Sequence, residues 1–132
     1  MRPIPVGTKG NHSIIVEKKD LAGTMEPSLP PVMATCVMSL MMELAAINAM
    51  QPYLEPGEMS VGASVNVQHL AATPAGHKVT AWAEVTRVDG RRVEFVVRAN
   101  DEMDEIGTGT HIRAVADRAK FDERLKKKIK KA

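Results

Sequence analysis

The feature that most constrains this chain is the segment PVMATCVMSLMMELAAINAMQP, which runs from Pro31 to Pro52. Nearly every residue between the two prolines is apolar and most favour helix, so the segment predicts a helix buried on most of its circumference. Pro31 suits the N-terminal flank of such a helix and Pro52 suits its end. A helix of this kind must be wrapped by the rest of the chain.

Three polar side chains interrupt this apolar surface at intervals of four residues, which places Thr35, Ser39 and Glu43 along one line of the helix. Thr35 is a helix cap or a functional hydroxyl, and Ser39 is expected to bond back to the helix backbone. Burying an ionised carboxylate without a partner costs several kcal/mol or more. Glu43 therefore belongs either to a structural ion pair or to a catalytic acid/base group.

Composition indicates one domain spanning residues 1–132, because 44% hydrophobic content is enough for a core. Aromatic residues make up only 3%, so aliphatic side chains and methionine must fill that core. The N-terminus has no apolar stretch typical of a signal peptide, and Glu43 breaks the longest apolar run. Together with the single cysteine, Cys36, these features predict a cytoplasmic protein without internal disulfides.

The net charge of +2 conceals a basic tail at roughly residues 122–132. Five lysines there carry +5, so the other residues sum to −3. A charged, solvated helix from Asp117 to Ala132 is the simplest interpretation, since no aromatic residues are interleaved to stack on bases. We therefore expect neither a nucleic acid nor a membrane as partner.

After the helix, the spacing of apolar residues changes from that of a helix to the two-residue alternation of strands. Asp89-Gly90 between two alternating runs predicts a hairpin. Residue His69 falls on the apolar face of its run. The predicted strands cover residues 13–17, 61–69, 79–85, 93–99 and 106–115.

One long helix followed by an antiparallel meander predicts an α+β fold with about five strands. A helix that is apolar almost all round is best covered by a curved sheet that wraps it, and this arrangement is the hotdog fold. Hotdog domains usually pair, so we expect a homodimer.

Glu43 and His69 are predicted to face the same layer between helix and sheet, and acid/base catalysis uses such pairs. By itself His69 would more often be a hydrogen-bonded core histidine. His12 and His77 are expected at solvated edges, and His111 has no evident partner. No two histidines have the spacing of metal ligands, so no metal is predicted. Cys36 is better explained as a small buried residue than as a nucleophile.

Five segments are longer or more specific than their composition requires: VMATCVMSLMME, YLEPGE, HLAATPAG, VDGRR and DEIGTGTHIRAV. They strongly resemble the fluoroacetyl-CoA thioesterase family within the hotdog superfamily, and the resemblance covers roughly residues 31–121. The resemblance implies that Thr35, Glu43 and His69 are catalytic and that the backbone N–H of Gly62 binds the thioester carbonyl. It also implies hydrolysis of acyl-CoA to free acid and CoA by a homodimer without metal or other cofactor.

Geometry adds a constraint on these residues. In a regular helix, Thr35 and Glu43 would lie about 12 Å apart along the axis, too far for a hydrogen bond. Either Thr35 lies outside the regular helix, or two subunits share the site, or the substrate bridges the groups. We predict a site at the dimer interface, and the sequence leaves open whether Thr35, Glu43 or water attacks.

The segment from Leu21 to Val37 contains no phenylalanine, whereas the family's reference member closes its acyl pocket with phenylalanines there. Methionine and aliphatic side chains make a softer pocket edge. We therefore predict hydrolysis of a short-chain acyl-CoA, with fluoroacetyl-CoA as one candidate. A non-catalytic acyl-CoA binding module and a hotdog dehydratase are the alternatives. The basic residues available to the CoA phosphates are Arg91, Arg92 and Arg113.

Overall fold

The computed structural model describes residues 1–131 and has the predicted α+β layout with five strands. The helices are α1 (Ala22–Met25), α2 (Thr35–Met50) and α3 (Arg118–Lys131). The strands are β1 (Lys9–Ile15), β2 (Glu58–His69), β3 (Lys78–Asp89), β4 (Arg92–Asn100) and β5 (Glu105–Asp117). Within the described part of the chain, no helix is long and apolar enough to cross a membrane.

The five strands form one antiparallel sheet in the order β1-β3-β4-β5-β2. The predicted hairpin is present, since Asp89 pairs with Arg92 across the turn, and Gly90 has a φ of 61°. Such a left-handed conformation favours glycine. β1 and β2 form the two edges of the sheet.

α2 packs across the sheet, and its buried side chains with those of β3 and β4 form the core. Methionine and alanine dominate the buried face of α2, as the scarcity of aromatic residues predicts. A Cβ at Gly10 of β1 would collide with the backbone at Ala45 and Ala49, so glycine permits this close approach. The buried residues of α2 are Met38, Met41, Met42, Ala45, Ala46, Ala49 and Met50.

The central helix is shorter and less completely buried than predicted. Residues 31–34 precede it without helical structure, and Met33 forms an isolated bridge with Leu21. Leu40 is 52% exposed, and Cys36 is exposed rather than buried. One chain therefore covers only one face of α2, which leaves a second apolar face open.

Two strands also differ from their predicted form. β1 begins at Lys9, four residues before the predicted start, because backbone pairing with β3 extends beyond the apolar run. In β2 the register with β5 shifts between Gly62 and Ser64, so the alternation does not continue across Ala63. Val65 is 41% exposed. The predicted apolar face of β2 is thus not buried within the chain.

Candidate active site

The first group of candidate residues lies at the N-terminal end of α2. Ala34, the N-cap residue, has an extended backbone and no side-chain cap bond, and Thr35 is the first helical residue. The Thr35 hydroxyl does not cap the helix, since its Oγ1 lies 2.8 Å from His69 Nδ1 at the end of β2. The chain thus brings together two predicted site residues 34 positions apart.

His69 has one ring nitrogen in this hydrogen bond and one that is free to react. Its Nε2 is buried and has no hydrogen-bond partner among residues 1–131. An unpaired buried nitrogen is costly unless a ligand or water satisfies it. Nε2 therefore marks a position where a ligand or an ordered water would bind.

A mainly apolar cavity of about 400 Å³ opens beside this pair. Thr35, Cys36 and His69 are among its lining residues. Its apolar wall comes from the segment before α2, as the sequence predicted, and contains Met25, Leu29, Val32 and Met33. A small apolar group next to a reactive hydroxyl suits this space.

Glu43 lies in a second group, two helical turns further along α2. Its Oε1 accepts a hydrogen bond of 3.2 Å from Arg113 Nη1 on β5. Arg113 is 5% exposed and also donates to Ser60, from Nε to Oγ at 2.9 Å and from Nη2 to the carbonyl oxygen at 3.2 Å. Burial lowers the pKa of Arg113, and the Glu43 carboxylate opposes this shift. The ion pair keeps both charges partnered.

His111 completes this second group and is only 1% exposed. Its Nδ1 lies 2.8 Å from the Ser64 carbonyl oxygen, which can only accept, so Nδ1 carries the hydrogen. The lone pair on Nε2 then accepts from Arg113 Nη1 at 3.2 Å. Burial is the main cause that lowers the pKa of His111, and Arg113 lowers it further. His111 is therefore a neutral acceptor that helps to hold Arg113.

Gly62 of β2 provides the space that Glu43 occupies. A Cβ at this position would lie 2.6 Å from Glu43 Oε1, which is closer than van der Waals contact allows. Gly62 pairs with Arg113 across the β2–β5 ladder. The structure thus places Gly62 beside Glu43, in the second group of residues.

The four predicted site residues accordingly separate into two groups within one chain. Thr35 contacts His69, whereas Glu43 lies beside Gly62, and Glu43 makes its hydrogen bond to Arg113 rather than to His69. The expectation that Glu43 and His69 form a pair is not met within one protomer. The reason is their spacing: Glu43 lies two helical turns from the end of α2 that His69 contacts.

The prediction that His111 has no partner was wrong, and Arg113 is not a free cation. A signal in the sequence could have identified both residues. His111, Arg113 and Val115 alternate along β5, and all three are buried on the face toward α2.

Cavity size alone does not identify the site. A cavity of about 480 Å³, larger than the one beside Thr35, lies among Trp82, Val96 and Arg98 and is lined by none of the predicted site residues. We assign the candidate site by its chemistry, namely the Thr35–His69 contact and the ion pair of Glu43. Among the described residues no group of three or more His, Cys, Asp or Glu side chains is arranged to hold a metal ion.

Comparison with known proteins identifies the family of the chain. The family model described as fluoroacetyl-CoA-specific thioesterase matches residues 16–119. The chain belongs to the fluoroacetyl-CoA-specific thioesterase family. It is 43% identical over 129 residues to the fluoroacetyl-CoA thioesterase of Streptantibioticus cattleyicolor, with 93% of each chain covered.

Solved structures of fluoroacetyl-CoA-specific thioesterase and of related proteins share the fold. A threonine-to-serine mutant of that thioesterase in complex with acetyl-CoA is 42% identical and superposes with a TM-score of 0.89, covering 94% of this chain and 98% of its own. A thioesterase superfamily member from Thermus thermophilus is 33% identical, with a TM-score of 0.92 and full coverage of both chains. A hot-dog-like protein from Thermanaerovibrio acidaminovorans is 28% identical, with a TM-score of 0.87, and 95% of this chain and 93% of that one are covered. The predicted hotdog fold is confirmed.

Proposed function

We propose that this protein hydrolyses a short-chain acyl-CoA to the free acid and CoA. The observation that carries the proposal is the 2.8 Å contact between Thr35 Oγ1 and His69 Nδ1 at the mouth of a mainly apolar cavity. A hydroxyl paired with an imidazole is the arrangement that activates an oxygen nucleophile. Membership of a thioesterase family supports the same reaction.

The contact favours Thr35 as the attacking group within one protomer. His69 Nδ1 would take the hydroxyl proton as Thr35 Oγ1 bonds to the thioester carbon. The C–S bond then breaks, and His69 returns the proton to the departing CoA sulfur. Water, giving a proton to His69 as its oxygen bonds to the ester carbon, would break the bond to Thr35 Oγ1. His69 then returns that proton to Thr35 Oγ1, and the acid is released. Every proton in this sequence passes through one imidazole.

The developing oxyanion needs hydrogen-bond donors that are already in position. The first turn of α2 has no side-chain cap, and the N–H groups that begin this turn would be the donors for a ligand in the cavity that Ala34 and Thr35 line. These N–H groups would donate hydrogen bonds to the thioester oxygen in the pocket beside Thr35. The N–H of Gly62, the donor implied by the family resemblance, would serve a carbonyl close to Glu43.

A dimer of this chain would bring the two groups of residues together in one site. α2 has an open apolar face that includes Leu40, and Glu43 lies at its edge with 29% of its side chain exposed. β2 is an edge strand with Val65 exposed, and edge strands commonly pair with a second chain. We infer a homodimer in which Glu43 of one protomer approaches the Thr35–His69 pair of its partner, where it would orient the water that hydrolyses the Thr35 ester.

Light scattering of the native protein tests the dimer. Leu40→Asp should dissociate it because a buried, unpaired charge is costly, whereas Leu125→Asp on exposed α3 should leave it intact. A monomeric native protein with full thioesterase activity would refute the shared site.

The acyl group is proposed from the cavity wall. Met25, Leu29 and Val32 offer flexible apolar contacts suited to a small acyl chain. Fluoroacetyl-CoA is included as a candidate because a 43% identical relative is named for it. CoA enters only as part of the substrate, and the proposed steps use side chains and water. A cytoplasmic location stays a prediction from the sequence.

A thiol-release assay over acetyl-, propionyl-, butyryl- and fluoroacetyl-CoA tests the function. We expect turnover of at least one of these, and loss of turnover in Thr35→Ala. CoA-thioester binding without thiol release would instead indicate a binding module. Hydration of crotonyl-CoA without thiol release would indicate a dehydratase.

A further inference from the structure

A cationic pocket lies at the junction of β5 and α3, beyond the candidate active site. Its cavity of about 280 Å³ is bounded by Arg91 from the β3–β4 turn and by Lys120, Phe121 and Arg124 from α3. Asp117 is the one acid in the lining, and its Oδ1 accepts the backbone N–H of Lys120 at 3.1 Å. Arg91 also pairs with Glu58, which lies outside the lining, so three cations face two acids and the pocket keeps a net positive charge.

We propose that this pocket binds the phosphorylated adenosine end of the CoA thioester. The inference rests on the proposed function and adds to it a location for the anionic half of the substrate. CoA carries a diphosphate and a 3′-phosphate next to an adenine ring. Clustered Arg and Lys side chains recognise phosphates, and Phe121, which is 37% exposed, offers a face on which adenine can stack.

The position of the pocket relative to Glu43 supports this assignment. Arg113, Val115 and Asp117 alternate on β5 and share one face of that strand. Arg113 hydrogen-bonds Glu43, while Val115 and Asp117 line the pocket. A strand rises about 3.3 Å per residue, so the β5 residues of the pocket lie between about 7 and 13 Å along the strand from Arg113. The pantetheine arm of CoA separates its thioester from its phosphates and would span this interval.

The structure also distinguishes the arginines that were predicted to meet the CoA phosphates. Arg113 is buried in the ion pair with Glu43. Arg91 is 59% exposed, and its Nη1 is anchored at 3.4 Å both to Glu58 and to the Val115 carbonyl oxygen. This anchoring fixes the guanidinium at the pocket rim. Among the arginines predicted to meet CoA phosphates, the structure favours Arg91, together with Lys120 and Arg124 that the sequence did not single out.

The test compares a substrate that has the nucleotide with one that lacks it. The variant Lys120→Gln/Arg124→Gln removes two pocket charges, and Lys126→Gln/Lys127→Gln removes two exposed charges of α3 outside the pocket. For the pocket variant we expect KM for acetyl-CoA to rise roughly tenfold with little change in kcat. The salt dependence of kcat/KM should also weaken. The control should change KM for acetyl-CoA less than twofold.

Acetyl-pantetheine separates failure of this inference from failure of the proposed function. The pocket variant should hydrolyse acetyl-pantetheine as fast as the native protein, since that thioester has no phosphate. Equal loss on both substrates, or equal KM for acetyl-CoA in the pocket and control variants, would overturn the inference. If the native protein cleaves neither thioester, the proposed function fails. Calorimetry with adenosine 3′,5′-bisphosphate then tests separately whether the pocket binds the nucleotide. Binding that the pocket variant weakens and the control keeps would support the inference, and no binding to the native protein would reject it.

Discussion

The two groups of residues along α2 differ in charge and in exposure. The hydroxyl–imidazole pair (Thr35 and His69) has no formally charged member when the imidazole is neutral and borders an open cavity. The charge cluster (Glu43, His111, Arg113 and Ser60) contains a nearly buried ion pair with several hydrogen bonds. His69 of the pair has a ring nitrogen, Nε2, without a partner among the described residues, whereas the groups of the cluster hydrogen-bond one another. We therefore expect the pair to affect rate alone and the cluster to affect both stability and rate.

The largest effect should come from removing the hydroxyl–imidazole pair. Thr35→Ala and His69→Ala should each lower kcat/KM about 10³-fold, because nucleophile activation and proton transfer are both lost. The double variant should be little worse than either single variant, since the two groups act as a unit. Steady-state kinetics on the best acyl-CoA measures this.

Thr35→Ser serves as the matched control because it keeps the hydroxyl and should retain most activity. The free energy of unfolding should change by less than about 1 kcal/mol in all of these variants. Fully additive losses in the double variant would show that Thr35 and His69 work independently.

The next effect concerns the charge cluster. Arg113→Met should lower the free energy of unfolding by about 3 kcal/mol, because Glu43 and His111 both lose their donor. Urea denaturation followed by circular dichroism measures the change. Arg98→Met, at an exposed arginine on the neighbouring strand, should cost less than about 0.5 kcal/mol. Equal losses of unfolding free energy in Arg113→Met and Arg98→Met would show that the charge cluster adds no stability. That result would contradict the distinction between the cluster and the pair.

A smaller effect is expected at Gly62. In Gly62→Ala the added Cβ would displace the Glu43 carboxylate from its position 2.6 Å away, while Arg113 continues to attract it. We expect kcat/KM to fall about tenfold and unfolding free energy to fall by about 1 kcal/mol. Ala63→Ser, at the adjacent exposed position, is the control. An unchanged rate in Gly62→Ala would mean that the position of Glu43 is not critical.

The last effect concerns stability alone and is a pH dependence. The pKa of His111 is lowered in the fold, so below about pH 6.5 the unfolded chain binds a proton that the folded chain does not. Acidification therefore favours unfolding, with a slope of at most about 1.4 kcal/mol per pH unit from this group. Denaturant midpoints between pH 7 and pH 5 measure it.

His111→Gln is the informative variant for this test, because its amide oxygen can still accept from Arg113 but does not titrate. Its stability should depend less on pH than that of the native protein. His12→Gln, at a half-exposed edge position, should keep the native slope. A native slope in His111→Gln would assign the pH dependence to other groups.

Patterns within short segments were enough to predict most of the fold. The apolar run around Met41 and Met42 predicted the central helix, and Asp89-Gly90 predicted the hairpin. These features depend on neighbours in sequence, where helix and strand periods and turn preferences act. Predictions that required neighbours in space fared worse. His111 had no evident partner in the sequence because Arg113, which donates to it, is held in this cluster by Glu43, 70 positions earlier in the chain.

By itself the sequence determined the element order, the helix that needs covering and the identity of the site residues to test. The tertiary structure alone decided which of them touch. Thr35 meets His69 because β2 ends beside the start of α2, and Glu43 meets Arg113 because the β2–β5 register and the irregularity after Gly62 bring that strand face under the helix. Register and helix placement are set by many packing contacts at once, so no local pattern encodes them.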